Sequence, residues 1–81
     1  MKALVLIAHG SKKEKSNQEF RELVSQVREQ NSHKYRKIIA SFLEFEGPSI
    51  QNVVKELAFK NITEITIYPF FLNSGKHILV D

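Results

Sequence analysis

Ala3-Leu4-Val5-Leu6-Ile7-Ala8, followed at once by His9-Gly10-Ser11, is a short unbroken apolar run that stops on polar, turn-forming residues. Such a run, rich in branched side chains and bounded early, is the pattern of a strand buried on both faces of a parallel sheet. The rest of the chain is read against that strand. From about Ser16 to Gln30, Phe20, Leu23, Val24 and Val27 recur at helical spacing, and Ser16 with Glu19 fits a capping box, which predicts an amphipathic helix. Lys37 to Leu43 is again short and apolar and predicts a second strand. Gly47-Pro48 then punctuates the chain, with Pro48 expected in the first helical turn, and Ile50, Val53, Val54, Leu57 and Ala58 keep helical spacing as far as Asn61. Ile62 to Tyr68 predicts a third strand, which Pro69 ends by withholding a ladder donor. Strand, helix, strand, helix, strand implies right-handed crossovers and a parallel sheet flanked by helices, a three-layer α/β/α arrangement. Residues 70–81 read as a loop followed by the start of a helix.

The chain has 81 residues, which bounds it to one domain spanning 1–81 with a thin core. It has no cysteine, so disulfides, thiolate metal sites and cysteine nucleophiles are excluded, and any metal must be held by nitrogen or oxygen. The net charge of +3 is spread as twelve basic residues among nine acidic ones, which favours a small anionic ligand over nucleic acid. Nucleic-acid binding would want basic residues interleaved with exposed aromatics, and Phe70-Phe71 is the one candidate, expected instead to pack under the loop that follows. The apolar start is too short for a signal peptide, and no later run approaches a membrane span, so no membrane partner and a cytoplasmic location are expected.

In an open parallel sheet, ligands are expected at the carboxyl ends of the strands. The first strand delivers His9-Gly10-Ser11, the second Glu44-Phe45-Glu46, and the third leads into Asn73-Ser74-Gly75-Lys76-His77. Two of the three histidines and a carboxylate thus converge on one edge. Imidazole is a common metal ligand and titrates near neutrality, so such a pair suits metal delivery coupled to proton removal. Gly10 would let another molecule approach the backbone. Glu44 and Glu46 are two positions apart and expected to point the same way, and spacing does not choose between them. His33, in the turn before the second strand, falls at the opposite edge and reads as a surface residue. Lys12, Lys13, Lys15 and Lys76 would give the crevice a basic mouth. Other chemistries lack their parts. The sole aspartate is Asp81, too late for a phospho-receiver, no glycine-rich phosphate cradle follows the first strand, and Ala8 stands where an Arg-His-Gly phosphatase needs arginine.

Leu4 to Ser11, Phe42-Leu43-Glu44 with Pro48-Ser49, and Pro69-Phe70-Phe71-Leu72 with Gly75, His77 and Asp81 together resemble the sirohydrochlorin chelatases of the CbiX type, small relatives of the class II ferrochelatases. The resemblance covers essentially the whole chain. It implies a chelatase-like, flavodoxin-like fold with strand order 2-1-3, and a lyase activity that inserts a divalent metal into sirohydrochlorin on the way to cobalamin or sirohaem. Co²⁺ is the first choice of metal, with Fe²⁺ and Ni²⁺ as alternatives, and no organic cofactor is expected. By resemblance His9 is the catalytic base and a metal ligand, and His77 is the second metal ligand. Glu44 would contact the substrate, and Leu72, Asn73, Ser74, Gly75, Lys76 and His77 form a loop around the macrocycle. Two departures stand out. Lys12 replaces a frequent arginine, which keeps the charge and loses the bidentate fork. The family pattern also continues past the aspartate matched by Asp81 into a further strand, which leads us to expect a C-terminally shortened version of the fold. Short family members build their site in a homodimer, so a second copy is the implied partner. The alternatives are a non-enzymatic metal carrier or inactive remnant, and a flavodoxin-like domain that binds an anion with no role for the histidines.

Overall fold

A computed structural model describes residues 1–70. The elements run β1 (Lys2–Ala8), α1 (Glu14–Asn31), β2 (Lys37–Phe42), α2 (Ile50–Phe59) and β3 (Glu64–Pro69). The three strands form one parallel sheet in the order β2-β1-β3, as expected. β1 is central because its side chains are apolar on both faces. Ala3, Val5 and Ile7 pack with Val53 and Leu57 of α2 and with Ile62, while Leu6 packs on the other side with Phe20 and Val24 of α1 and with Ile38 and Phe42 of β2. One helix therefore covers each face, and the alternation of side chains along a strand covered on both faces is what produces three layers. The Phe20 and Phe42 rings meet edge to face with centroids 5.5 Å apart, and Phe70 closes on Phe20 at 5.7 Å.

The starts of α1, α2 and β3 each differ by two residues from the sequence reading, each for a tertiary reason. α1 begins at Glu14, two residues before Ser16, and Lys13 is its N-cap with no side-chain capping bond, so the Ser16–Glu19 capping box is not used. Instead, the Ser11 hydroxyl accepts from the Lys13 N–H at 3.0 Å, and the turn is closed from outside the helix. α2 begins after Pro48, not with it. The Pro48 carbonyl is tied to the end of β2 by the Ser41 hydroxyl at 2.9 Å and the Phe42 N–H at 3.1 Å, which leaves Ser49 to cap the helix by accepting from the Asn52 N–H. β3 starts at Glu64, because Asn61 turns the chain with φ 64° and Ile62 is drawn under α2, its N–H donating to the Leu57 carbonyl. On β3, Ile65 packs against the α2-side core while Ile67, on the same face two residues on, is 47% exposed.

Candidate functional site

β1 and β2 run in phase, with Ala8 opposite Phe42 in the last rung of the ladder. The backbone pairing continues past both strands, since the Leu43 N–H donates to Ala8 and the Glu44 N–H donates to His9 at 3.0 Å. His9 and Glu44 are therefore neighbours because the register makes them so. Their side chains follow: His9 Nε2 lies 3.6 Å from Glu44 Oε1, with the side chains 63% and 47% exposed. That separation is an ion-pair distance, too long for a hydrogen bond, and at this exposure the pair is worth about 0–1 kcal/mol. It contributes little to stability and leaves the imidazole within reach of a ligand.

The two acidic candidates part company. Glu46 pairs with the Arg21 guanidinium of α1 and not with His9. The expectation that both carboxylates point one way fails because alternation holds only in extended chain, and Phe45 between them has φ 67°. Arg21 also lies over the Phe42 ring at 5.2 Å and bonds Gln18 and Glu14, so it fastens the β2–α2 loop to α1.

Gly10 has φ 95°, and a Cβ there would collide with the Glu44 carbonyl oxygen. The close approach that glycine permits is made by the chain's own β2–α2 loop. The β1–α1 loop is held from the opposite side by Asn17, only 4% exposed. Its Nδ2 donates to the Ser11 carbonyl at 2.8 Å and its Oδ1 accepts from the Ser11 N–H at 3.0 Å. Asn17 and Arg21 were not singled out from the sequence. Asn17 did carry a signal, since it falls three residues before Phe20 and seven before Val24, a polar side chain on the apolar stripe.

Lys12, Lys13 and Lys15 are exposed around this edge, and His33 is exposed in the turn between α1 and β2 at the far end of the sheet, both as expected. Leu72, Asn73, Ser74, Gly75, Lys76 and His77, together with the helix expected at the chain's end, lie outside the described residues. Among the described residues no three histidine, aspartate or glutamate side chains cluster, and no helix is long and apolar enough to cross a membrane. A groove of about 450 Å³ opens at the far end beside β2, where Arg28 donates to the Ile38 carbonyl and Lys60 pairs with Glu56. It offers no imidazole. His9 and Glu44 form the described part of the candidate site.

An open parallel sheet covered on both faces, with an imidazole and a carboxylate across the carboxyl ends of adjacent strands, defines the class of doubly wound α/β proteins that work at a strand-end crevice. Within that class, the chain belongs to the CbiX family, whose model matches residues 3–81. It is 33% identical over 81 residues to a sirohydrochlorin cobaltochelatase of Methanocaldococcus jannaschii, matching 100% of this chain and 55% of that one. It is 31% identical over 77 residues to the enzyme of that name from Methanopyrus kandleri, matching 95% of this chain and 52% of the relative. The chain thus spans about half the length of these relatives. A solved CbiX protein of Marinobacter aquaeolei VT8 superposes with a TM-score of 0.71 at 23% identity, covering 100% of this chain and 64% of that one, a likeness of fold.

Proposed function

We propose that this chain serves the insertion of a divalent metal into sirohydrochlorin, in cobalamin or sirohaem synthesis, with Co²⁺ as the first metal and Fe²⁺ or Ni²⁺ as alternatives. The observation that carries the reading is the His9–Glu44 pair, 3.6 Å apart where the ends of β1 and β2 meet. Insertion requires the ion to shed water and the macrocycle to lose two pyrrole protons, so that M²⁺ replaces 2 H⁺ with no change of oxidation state. A neutral His9 imidazole can ligate the metal through a nitrogen lone pair, and once the metal has passed on the same lone pair can accept one pyrrole proton, the other leaving to solvent water. The Glu44 carboxylate stands where it would stabilise the imidazolium so formed. Because ligand sets of nitrogen and oxygen accept Co²⁺, Fe²⁺ and Ni²⁺ alike, geometry and supply choose the metal.

In this reading His77 is the second metal ligand, and Leu72, Asn73, Ser74, Gly75 and Lys76 contact the macrocycle with Glu44. A homodimer in the cytoplasm completes it, the second copy closing over the substrate. The relatives named sirohydrochlorin cobaltochelatase support the choice of substrate and of cobalt. The test is absorbance of sirohydrochlorin with Co²⁺ or Fe²⁺, with and without the protein. Insertion shifts the macrocycle bands, and acceleration over the protein-free rate is expected. Co²⁺ binding with no acceleration would mark a carrier and overturn the enzymatic reading.

A further inference from the structure

The loop after β2 carries a feature that neither His9 nor Glu44 requires. Phe45 is 56% exposed, and its backbone sits at φ 67°, a conformation that bulky side chains rarely adopt. Glycine or asparagine would occupy that position with less strain, and the exposed ring adds little to the core, so folding alone does not account for a phenylalanine here. The conformation is enforced from both sides. On one side, the Glu44 N–H is bonded to His9 and its carbonyl is pressed against Gly10; on the other, Glu46 is held by Arg21. The ring is thereby presented at a fixed place, one residue after the carboxylate that pairs with His9. Leu43, one residue before that carboxylate, is also exposed.

The ring has a companion. Lys12 Nζ stands 5.5 Å from the Phe45 ring centroid, a cation–π separation, and Lys12 lies in the same loop as His9, three residues on. An exposed aromatic ring with an ammonium group over it, next to a candidate metal ligand, suits a planar conjugated ring that carries carboxylates at its rim. The π face stacks on the aromatic side chain and the ammonium meets a carboxylate, while the two loops set the distance between them. We propose that Phe45 and Lys12 are the stacking and charge-reading elements for the macrocycle at the mouth of the His9 site. The inference rests on the tetrapyrrole reading above and adds to it the residues that hold the ring.

The test is a titration of metal-free sirohydrochlorin into the 81-residue chain, followed by its absorbance and fluorescence, with Co²⁺ binding and thermal unfolding measured on the same proteins. Phe45→Leu and Phe45→Gly should each weaken macrocycle binding about tenfold, the size of one lost stacking contact, while Phe45→Tyr stays within about twofold of wild type. Phe45→Gly relieves the positive φ, so it should unfold at or above the wild-type temperature even as it loses the macrocycle, a combination that a purely structural role for the ring does not produce. Lys12→Ala should weaken binding several-fold at low salt and by less in high salt, where screening already removes the charge term. Co²⁺ binding should be unchanged in all four. Phe45→Gly binding the macrocycle as well as wild type, or Phe45→Tyr failing to restore it, would overturn the assignment while leaving the chelatase reading in place. A wild-type chain that binds no sirohydrochlorin would overturn both.

Discussion

The main-chain oxygen of Glu44 fills the space beside Gly10 that a side chain would need, and it does so while Gly10 is at φ 95°. Contact between two loops, each leaving the carboxyl end of a different strand, turns a shared register into a shared site. The same contact sets the distance between His9 and Glu44, the residues immediately preceding Gly10 and immediately carrying that oxygen.

Gly10→Ala should damage both stability and insertion. The backbone conformation alone costs a non-glycine residue about 1–3 kcal/mol, and the methyl group must also push the β2–α2 loop away. A lower denaturation midpoint is expected together with loss of metal insertion. If the variant unfolded at the wild-type midpoint, the two loops would not be in the contact described.

Asn17→Ala should loosen the β1–α1 loop, which carries His9 and Lys12, from a buried position on α1. Asn17 makes two bonds to the Ser11 backbone from a buried position, and removing it leaves the Ser11 N–H and carbonyl without those partners, at about 1–3 kcal/mol. Asn17→Asp keeps the acceptor for the Ser11 N–H but sets a carboxylate against the Ser11 carbonyl, so it should recover only part of the loss. Thermal unfolding of the two variants beside wild type measures the difference, and equal midpoints in all three would show that the loop is held in some other way.

What the sequence made legible follows the range of the forces involved. β1 could be read because a strand covered on both faces must be apolar at every position, and Ala3 to Ala8 meets that demand with no help from elsewhere. The edge where His9 and Glu44 emerge follows from the parallel alternation of strands and helices, while the strand order came with the family resemblance. The start of α1 was misread because Ser16 and Glu19 offer a local cap, while the actual turn is made by Ser11 across to Lys13 and by Asn17 back to Ser11. The choice of Glu44 over Glu46 was closed to spacing arguments, since it depends on one torsion at Phe45 and on an arginine 25 positions upstream. Contacts between loops are set by the whole fold and leave only faint local marks.

Acidification should weaken Co²⁺ binding. A proton and a metal ion compete for the same imidazole lone pair, so each metal bound through a histidine displaces a proton whenever that histidine is protonated, and the apparent affinity falls as pH falls through the range where imidazoles titrate. Co²⁺ titrations between pH 8 and about pH 5, with circular dichroism to show that the fold persists, should give a monotonic decline in wild type and a flatter one in His9→Ala. A pH-independent wild-type affinity would remove histidine from the metal site.

His9→Ala is the most direct variant at the crevice. The side chain is 63% exposed and belongs to neither core cluster, so its removal should cost about the 0–1 kcal/mol of an exposed pair and leave the fold intact. Insertion should nevertheless fall by well over tenfold, a rise of more than about 1.4 kcal/mol in the barrier, because the proposed metal ligand and the proposed base are one side chain. The exposure that spares the fold also opens the vacated space to solvent, so added imidazole should restore part of the rate, and Glu44→Gln, which keeps the shape and removes the charge, should lower the rate by less than His9→Ala does. A His9→Ala protein that kept more than about a tenth of the wild-type rate would make the role of His9 as metal ligand and proton acceptor untenable. A folded variant that lost the rate and regained part of it with imidazole would tie the loss to the imidazole group itself and not to a displaced loop.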